Sequence, residues 1–241
     1  MPAPQPASVG SVAEITSGFG FPKSRQGKTT GDFPFAKVSD ISRAVAESGG
    51  RLSTAVNYVD KSDLKFLRAR PVPKDSTVFA KIGEALRLNR RAITETEIIL
   101  DNNCMSLTPD TEKVLPRFLY IFMQTIDLSP FAVATAVPSV RRGDVADLEL
   151  LLPCLEEQTE IVRQVDAMTA EIDRLVAEAA AARRLLDRLD QAILAKAFRG
   201  ELVQQDPADE PASVLLDRIR AERAASPAKA RRGRRAAAAV S

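Results

Sequence analysis

The chain has 241 residues, of which 45% are apolar and 27% charged, and it contains no histidine. That length allows one or two ordinary domains, and the composition suits a folded body with a water-exposed surface. Without imidazole, Ser-His-Asp and Cys-His nucleophiles are excluded, as is any zinc site that needs histidine.

The net charge of +2 hides a segregation. Residues 1–152 hold 19 Lys and Arg against 17 Asp and Glu, residues 153–216 hold 7 against 13, and residues 217–241 hold 8 against 2. A near-neutral body, an acidic middle and a basic end are three different environments, so the average says little about partners. Cys104 and Cys154 form no CxxC pair and read as reduced, partly buried thiols. Apolar runs such as Leu148–Leu152 are far too short for a bilayer. Met1–Gly10 lacks a basic start followed by an apolar stretch, so the expectation is a cytoplasmic protein with no export signal and no membrane partner.

In chain order, residues 1–10, rich in Pro and Ala, read as a loose N-terminal arm. Residues 11–152 read as a compact α+β domain. The runs Phe33–Val38, Thr77–Ile82, Glu97–Leu100 and Leu148–Leu152 are β-branched or aromatic and bounded by Gly, Pro, Asp and Ser, as strands are. Pro116 opens a helix with Leu119, Phe122, Met123 and Ile126 on one face. Pro153 marks a boundary, and residues 153–200 read as one long helix, since Glu156–Phe198 contains neither Gly nor Pro. Its apolar positions Ile161, Val165, Met168, Ile172, Leu175, Ala179, Ala182, Leu186, Leu189 and Ile193 step alternately by four and three. That is the 3.5-residue period of a coiled coil. At 1.5 Å per residue the helix is about 64 Å long. Glu156, Glu157 and Glu160 suit its N-terminus, Lys196 and Arg199 its C-terminus, and Gly200 its stop. The stripe requires a covering helix from a partner or, alternatively, a fold back onto its own domain. Residues 201–225 read as a polar turn, Gln204–Glu210 with Pro207 and Pro211 following, then a short helix Ala212–Arg223 carrying Val214, Leu215 and Ile219. Residues 226–241, with Lys229–Arg235, read as a basic disordered tail.

No catalytic or metal-binding constellation is legible. Gly18-Phe19-Gly20 is too short for a dinucleotide fingerprint and serves a loop, and Gly27-Lys28-Thr29-Thr30 lacks the earlier glycine of a P-loop. The Asn/Asp-Pro-Pro-aromatic loop of an adenine methyltransferase is absent. Pro109-Asp110 with Glu112-Lys113 superficially matches a nuclease motif, but such carboxylates must come from separate paired strands to converge on one metal. By contrast, Arg87, Asn89, Arg90 and Arg91 fall within five positions, followed by Asn102 and Asn103. Arginine can make two hydrogen bonds to guanine, and asparagine two to adenine. Lys37, Ser39, Arg141 and Arg142 suit phosphates. On composition alone, a solvated charged loop stands equally beside this reading.

Several stretches, in order, resemble one family. Gly18-Phe19-Gly20-Phe21-Pro22-Lys23 and Phe35-Ala36-Lys37-Val38-Ser39-Asp40 look like the opening of its recognition domain. Phe79-Ala80-Lys81-Ile82-Gly83, Asn89-Arg90-Arg91 and Asp101-Asn102-Asn103 are similar to its middle, and Pro138-Ser139-Val140 with Asp147–Leu152 to its close. Leu151-Leu152-Pro153, Leu155-Glu156-Glu157-Gln158 and Ile161-Val162 look like its junction with a conserved helix. Leu194–Leu202 with Asp209-Glu210-Pro211-Ala212-Ser213 look like the end of that helix. From about Val12 to Ala225 the chain resembles the specificity subunits of type I restriction-modification systems.

The resemblance implies a target-recognition domain that reads half of a bipartite site on double-stranded DNA. The long helix would pair antiparallel with a second one and set the distance between two half-sites. DNA contacts would come from Lys37, Ser39, Arg87, Asn89, Arg90, Arg91, Asn102, Asn103, Ser139, Arg141 and Arg142. Methyltransferase subunits and a restriction/translocase subunit would supply the reactions, with S-adenosylmethionine, Mg²⁺ and ATP confined to them, so the chain itself is no enzyme. A full subunit has two recognition domains and two conserved helices. This chain has one of each and lacks the usual aromatic lead-in, so the expectation is a half-subunit, pairing with itself or with another half, or the distal half of an interrupted gene. The alternatives are a coiled-coil module whose first domain binds protein, and an inactive remnant. Salt separates DNA binding from a hydrophobic interface.

Overall fold

Where composition predicts a loose arm, the computed structural model, which describes residues 3–132, 139–203, 206, 208 and 210–225, begins with a strand. Strand β1 (Gln5–Ser8) pairs antiparallel with the segment Glu149–Leu152, from Gln5 opposite Leu152 to Ser8 opposite Glu149. Proline is tolerated because the ribbon has only two strands and leaves one side of β1 unpaired. The single-turn helix α1 (Val9–Val12) follows, with Val9 and Val12 buried. Residues 5–10 are thus part of the fold; the partner that orders them lies at the far end of the domain, out of reach of a local reading.

The remaining elements are β2 (Ala13–Ser17), a 3₁₀ turn (Lys23–Arg25), β3 (Phe33–Ala36), α2 (Val38–Glu47), β4 (Arg51–Leu52), β5 (Asn57–Val59), α3 (Asp63–Leu67), β6 (Thr77–Ala80), α4 (Glu84–Arg87) and β7 (Arg91–Thr94). After them come β8 (Ile99–Leu100), β9 (Cys104–Pro109), α5 (Pro116–Thr125), a second 3₁₀ turn (Ser129–Phe131), α6 (Arg142–Ala146) and β10 (Glu149–Leu152). A five-stranded sheet runs β2-β9-β6-β7-β4, antiparallel except for β4 beside β7. A smaller sheet runs β5-β3-β8, with β3 and β8 parallel. The predicted strand Phe33–Val38 ends at Ala36, because the Asp40 carboxylate accepts the Lys37 backbone N–H at 2.9 Å and starts α2 there. Thr77–Ile82 and Glu97–Leu100 shorten to β6 and β8.

Successive side chains of β6 point to opposite faces, and both faces are covered. Phe79 joins Val9, Val12, Met105, Leu107, Leu119, Met123 and Val145 in the main core under α1, α5 and α6. Val78 joins Ile41, Ala44, Leu52, Ala92 and Leu100 under α2. Cys104 lies in that second core, where burial and the nearby Asp101 and Asp40 carboxylates push its thiol well above the usual range. The small sheet has its own core of Phe35, Val59, Leu67, Ala69 and Ile99. Gly18, just past β2, makes a close approach to the other sheet. A Cβ there would sit 2.0 Å from the Asp101 carbonyl oxygen and 2.5 Å from that of Leu100, whereas Gly20 faces open space.

Helix α7 (Leu155–Phe198) runs through two compact units. The first, Met1–Ile172, contains the sheets and the first turns of α7. There the fully buried Gln158 accepts the Leu115 N–H at 2.8 Å and donates to the Lys113 and Pro153 carbonyls, each at 2.9 Å. Two turns on, Arg117 grips Asp166 through Nε at 3.1 Å and Nη2 at 2.6 Å. Ile161, which the periodicity assigns to the seam, is instead partly buried with Val162 against the main core, and Val165 is half-buried. The exposed stripe starts at Met168 and Ile172.

In the second unit, Leu175, Ala179, Ala182, Leu186, Leu189 and Ile193 are exposed along the rest of α7. Gly200, at φ +71°, closes the helix: its N–H donates to the Ala197 carbonyl at 3.0 Å, and the Glu201 N–H donates to that of Lys196 at 2.9 Å. Helix α8 (Ala212–Ala225) exposes Val214, Leu215 and Ile219. Pro207 and the predicted basic tail 226–241 lie outside the described residues. Among the described residues, no helix is long and apolar enough to cross a membrane.

Two stability outcomes follow. Gln158→Ala strands buried backbone groups at the junction and should lower unfolding free energy by about 3 kcal/mol, whereas Arg117→Ala, breaking a partly exposed pair, should lower it by under about 1 kcal/mol. Urea titration distinguishes the two. Gly18→Ala must push two carbonyls aside and should lower the urea midpoint clearly, while Gly20→Ala should leave it nearly unchanged.

Candidate nucleic-acid interface

Sheet register decides which loops share an end. Ala80 lies opposite Cys104, Phe79 opposite Arg91, and Ser17 opposite Met105. The exit of β2, the β6–β7 connection (81–90) and the β8–β9 turn (101–103) therefore emerge together. The end of β3 joins them, since the Asp101 N–H donates to the Ala36 carbonyl at 2.9 Å. So does the segment at Ser139 and Val140: Ser139 bridges Ile82, and the Val140 N–H donates to the Lys81 carbonyl at 2.9 Å. The Lys81 N–H in turn donates to the Asn103 carbonyl at 2.9 Å. One end of the domain thus gathers Lys37, Arg87, Asn89, Arg90, Asn102, Asn103 and Ser139 from four separate segments. Pro138 lies outside the described residues.

Their side chains differ in availability. Asp101 closes the β8–β9 turn by accepting the Asn103 N–H at 3.0 Å, which leaves Asn102 exposed and Asn103 half-exposed. Among the described residues neither side-chain amide has a hydrogen-bond partner, so both are open to solvent. Arg87 is exposed and 3.8 Å from Glu84, a loose surface pair, and Arg90 is half-buried. The Lys37 ammonium donates to Gln26 Oε1 at 2.8 Å and lies 5.2 Å from the centre of the Phe21 ring, which stacks on Phe35. Ser39 is exposed in the first turn of α2. Arg141 and Arg142 are exposed at the start of α6, where the Asp144 carboxylate accepts the Arg141 N–H at 3.1 Å.

Two members of the sequence cluster are structural. Arg91 is 1% exposed, because as the first residue of β7 it points inward across the strand from Phe79, with its guanidinium 5.0 Å from that ring. It donates to the Asn89 side chain at 2.5 Å and to the Arg90 and Ile126 carbonyls. Burial pushes its pKa down to about 10, opposed by Asp127. Asn89 adopts the left-handed backbone (φ +49°), accepts that arginine and donates to the Gln124 carbonyl at 3.1 Å. Both ends of its amide hold the loop. Arg91 and Asn89 therefore support these loops from below: both are predicted as DNA contacts, but the side-chain hydrogen bonds of both are spent inside the body.

Other residues join from positions the sequence reading passed over. Lys81, half-buried, ties two of the converging loops. Beside β2, a cleft of about 480 Å³ is lined by Thr16, Ser17, Ser106 and Thr108, with Arg70 and Arg142 at its wall and Glu14 as its acid. Arg70 stands in a run of cations that a charge count would have found. Asp110, from the nuclease-like stretch, caps a turn by accepting the Glu112 N–H at 3.3 Å and pairing with Lys113 at 2.8 Å, contacts that hold its carboxyl below the usual range.

Comparison with known proteins places this arrangement. The family described as type I restriction modification DNA specificity domain matches residues 5–178. The EcoBI type I restriction enzyme specificity subunit of Escherichia coli is 35% identical over 181 residues, covering 69% of this chain and 37% of that protein. The EcoDI specificity subunit of Escherichia coli is 35% identical over 142 residues, covering 54% and 32%. A chain from a structure on assembly and conformational transition of the type I restriction-modification system superposes with a TM-score of 0.65 at 19% identity, covering 84% of this chain and 47% of that one. The HsdS subunit from Thermoanaerobacter tengcongensis gives 0.57 at 20%, covering 84% and 46%. These two likenesses are of fold. The chain spans about a third of the curated relatives it matches and under half of those solved chains. Because the match along 5–178 takes in both sheets, the converging loops and the start of α7, the chain belongs to the type I restriction-modification DNA specificity family.

Proposed function

We propose that this chain is a non-catalytic, sequence-reading unit of a type I restriction-modification complex, working in the cytoplasm on double-stranded DNA. One observation carries this reading: the family match along 5–178 coincides with the body whose sheet register gathers arginine and asparagine side chains at one end. Arg87, Arg90, Asn102 and Asn103 are the base readers, since they reach solvent. Lys37, Ser39, Ser139, Arg141 and Arg142 hold phosphates and fix the register. Methyltransferase and restriction subunits carry out the reactions, so S-adenosylmethionine, Mg²⁺ and ATP belong to them.

The exposed apolar positions of α7 from Met168 onward support pairing with a second such helix, from a copy of this chain or from another specificity unit. A symmetric pair would read a palindromic bipartite site.

Comparing methylated motifs in the host with and without the gene tests the reading. One bipartite motif should vanish with the gene, and an unchanged motif set refutes the proposal. In the same assay Asn102→Ala should relax the preference at one base pair by roughly tenfold or more, while Arg142→Gln should weaken all sites evenly.

A further inference from the structure

The small sheet carries a second charged surface that the candidate interface does not use. Residues 23–28 hold three cations and no acid, and residues 61–70 hold four cations against Asp63 alone. Folding brings the two segments together: Arg25 Nη1 meets Asp63 Oδ1 at 2.9 Å, and the Arg25 guanidinium lies 5.0 Å from the centre of the Phe66 ring. Helix α3 needs only Leu64 and Leu67 for its own core. Phe66, on its other side, is 62% exposed. The left-handed Arg68 (φ +51°) ends the helix, with the Ala69 N–H donating to the Leu64 carbonyl at 3.0 Å, and so holds Lys65, Phe66 and Arg68 on one tight turn. Lys23, Lys65 and Arg68 are exposed and make no ion pair among the described residues. The surface is continuous with the loop end of the domain, because Gln26, next to Arg25, accepts the Lys37 ammonium.

A large aromatic ring with no packing duty, held against the Arg25 guanidinium and flanked in sequence by the unpaired Lys65 and Arg68, suits a partner that offers regularly spaced anions beside apolar faces. Duplex DNA does so, with phosphates flanking sugars and base edges, and proteins set phenylalanine into its grooves. Resting on the DNA-binding reading above, we infer that the α3 turn is a second DNA contact: Lys65, Arg68 and Lys23 neutralise backbone phosphates while Phe66, steadied by Arg25, seats in the adjoining groove. This contact strengthens binding without selecting bases.

Fluorescence anisotropy of the full chain on labelled duplex, across a salt series, tests the inference. Lys65→Gln/Arg68→Gln should lower affinity roughly tenfold and flatten the log–log salt slope by about 1.8, about 0.9 per phosphate contact. Phe66→Ala should lower affinity roughly tenfold with the slope unchanged, and Phe66→Trp should retain it. Both losses should be equal on target and scrambled sequences, with urea midpoints like the parent's. If the parent chain binds DNA and these variants match it in affinity and slope, the inference fails and the family reading stands. Losses confined to the target sequence also overturn it, and a parent chain with no DNA affinity overturns both readings.

Discussion

The side-chain amide of Gln158 is the constraint on which the first unit depends. It closes the first turn of α7, without solvent, and satisfies the Leu115 N–H and the Lys113 and Pro153 carbonyls at once. Those groups belong to the chain just before α5 and just before α7, so one residue fixes the start of both helices. Buried polar groups left without partners are expensive, which makes this geometry hard to replace by a merely apolar contact. Arg117 and Asp166, two turns along, add a second, solvent-screened grip. Ile161 and Val162 supply the apolar contact between them.

Above that junction, the central sheet is covered on both faces, and this lets loops from distant parts of the sequence meet. Loops positioned by a rigid scaffold commonly carry recognition. Here the rigidity has identifiable sources: Val78 and Phe79 bury on opposite faces, and the Lys81 backbone ties the β8–β9 turn to the segment at Ser139 and Val140. The segment 87–91 shows the resulting division of labour. Its exposed members meet solvent, whereas Arg91 and Asn89 are built into the support.

What could be read from the sequence was what repeats or lies close together. The 3.5-residue period made α7 legible almost to its ends, and Pro116 located α5. The period cannot say which part of the stripe the domain covers itself, and Ile161, at a seam position, packs partly against the main core. Strand β1 was illegible because its order comes from β10. Arg91 was indistinguishable from Arg90, since only strand alternation turns one inward and leaves the other half-exposed. The small sheet was missed as a surface because its cations fall in two short runs that only the fold joins.

The pairing of β1 with β10 has a consequence for how such heads are carried. The polypeptide comes into the body and goes out of it on neighbouring strands, so everything between them hangs from a single stem. A body attached in this way meets the first turns of the helix through that stem, the Gln158 latch, the Arg117–Asp166 pair and the Ile161 and Val162 side chains. The loops at the other end of the body can therefore differ in sequence without altering how it is held, provided these contacts are kept.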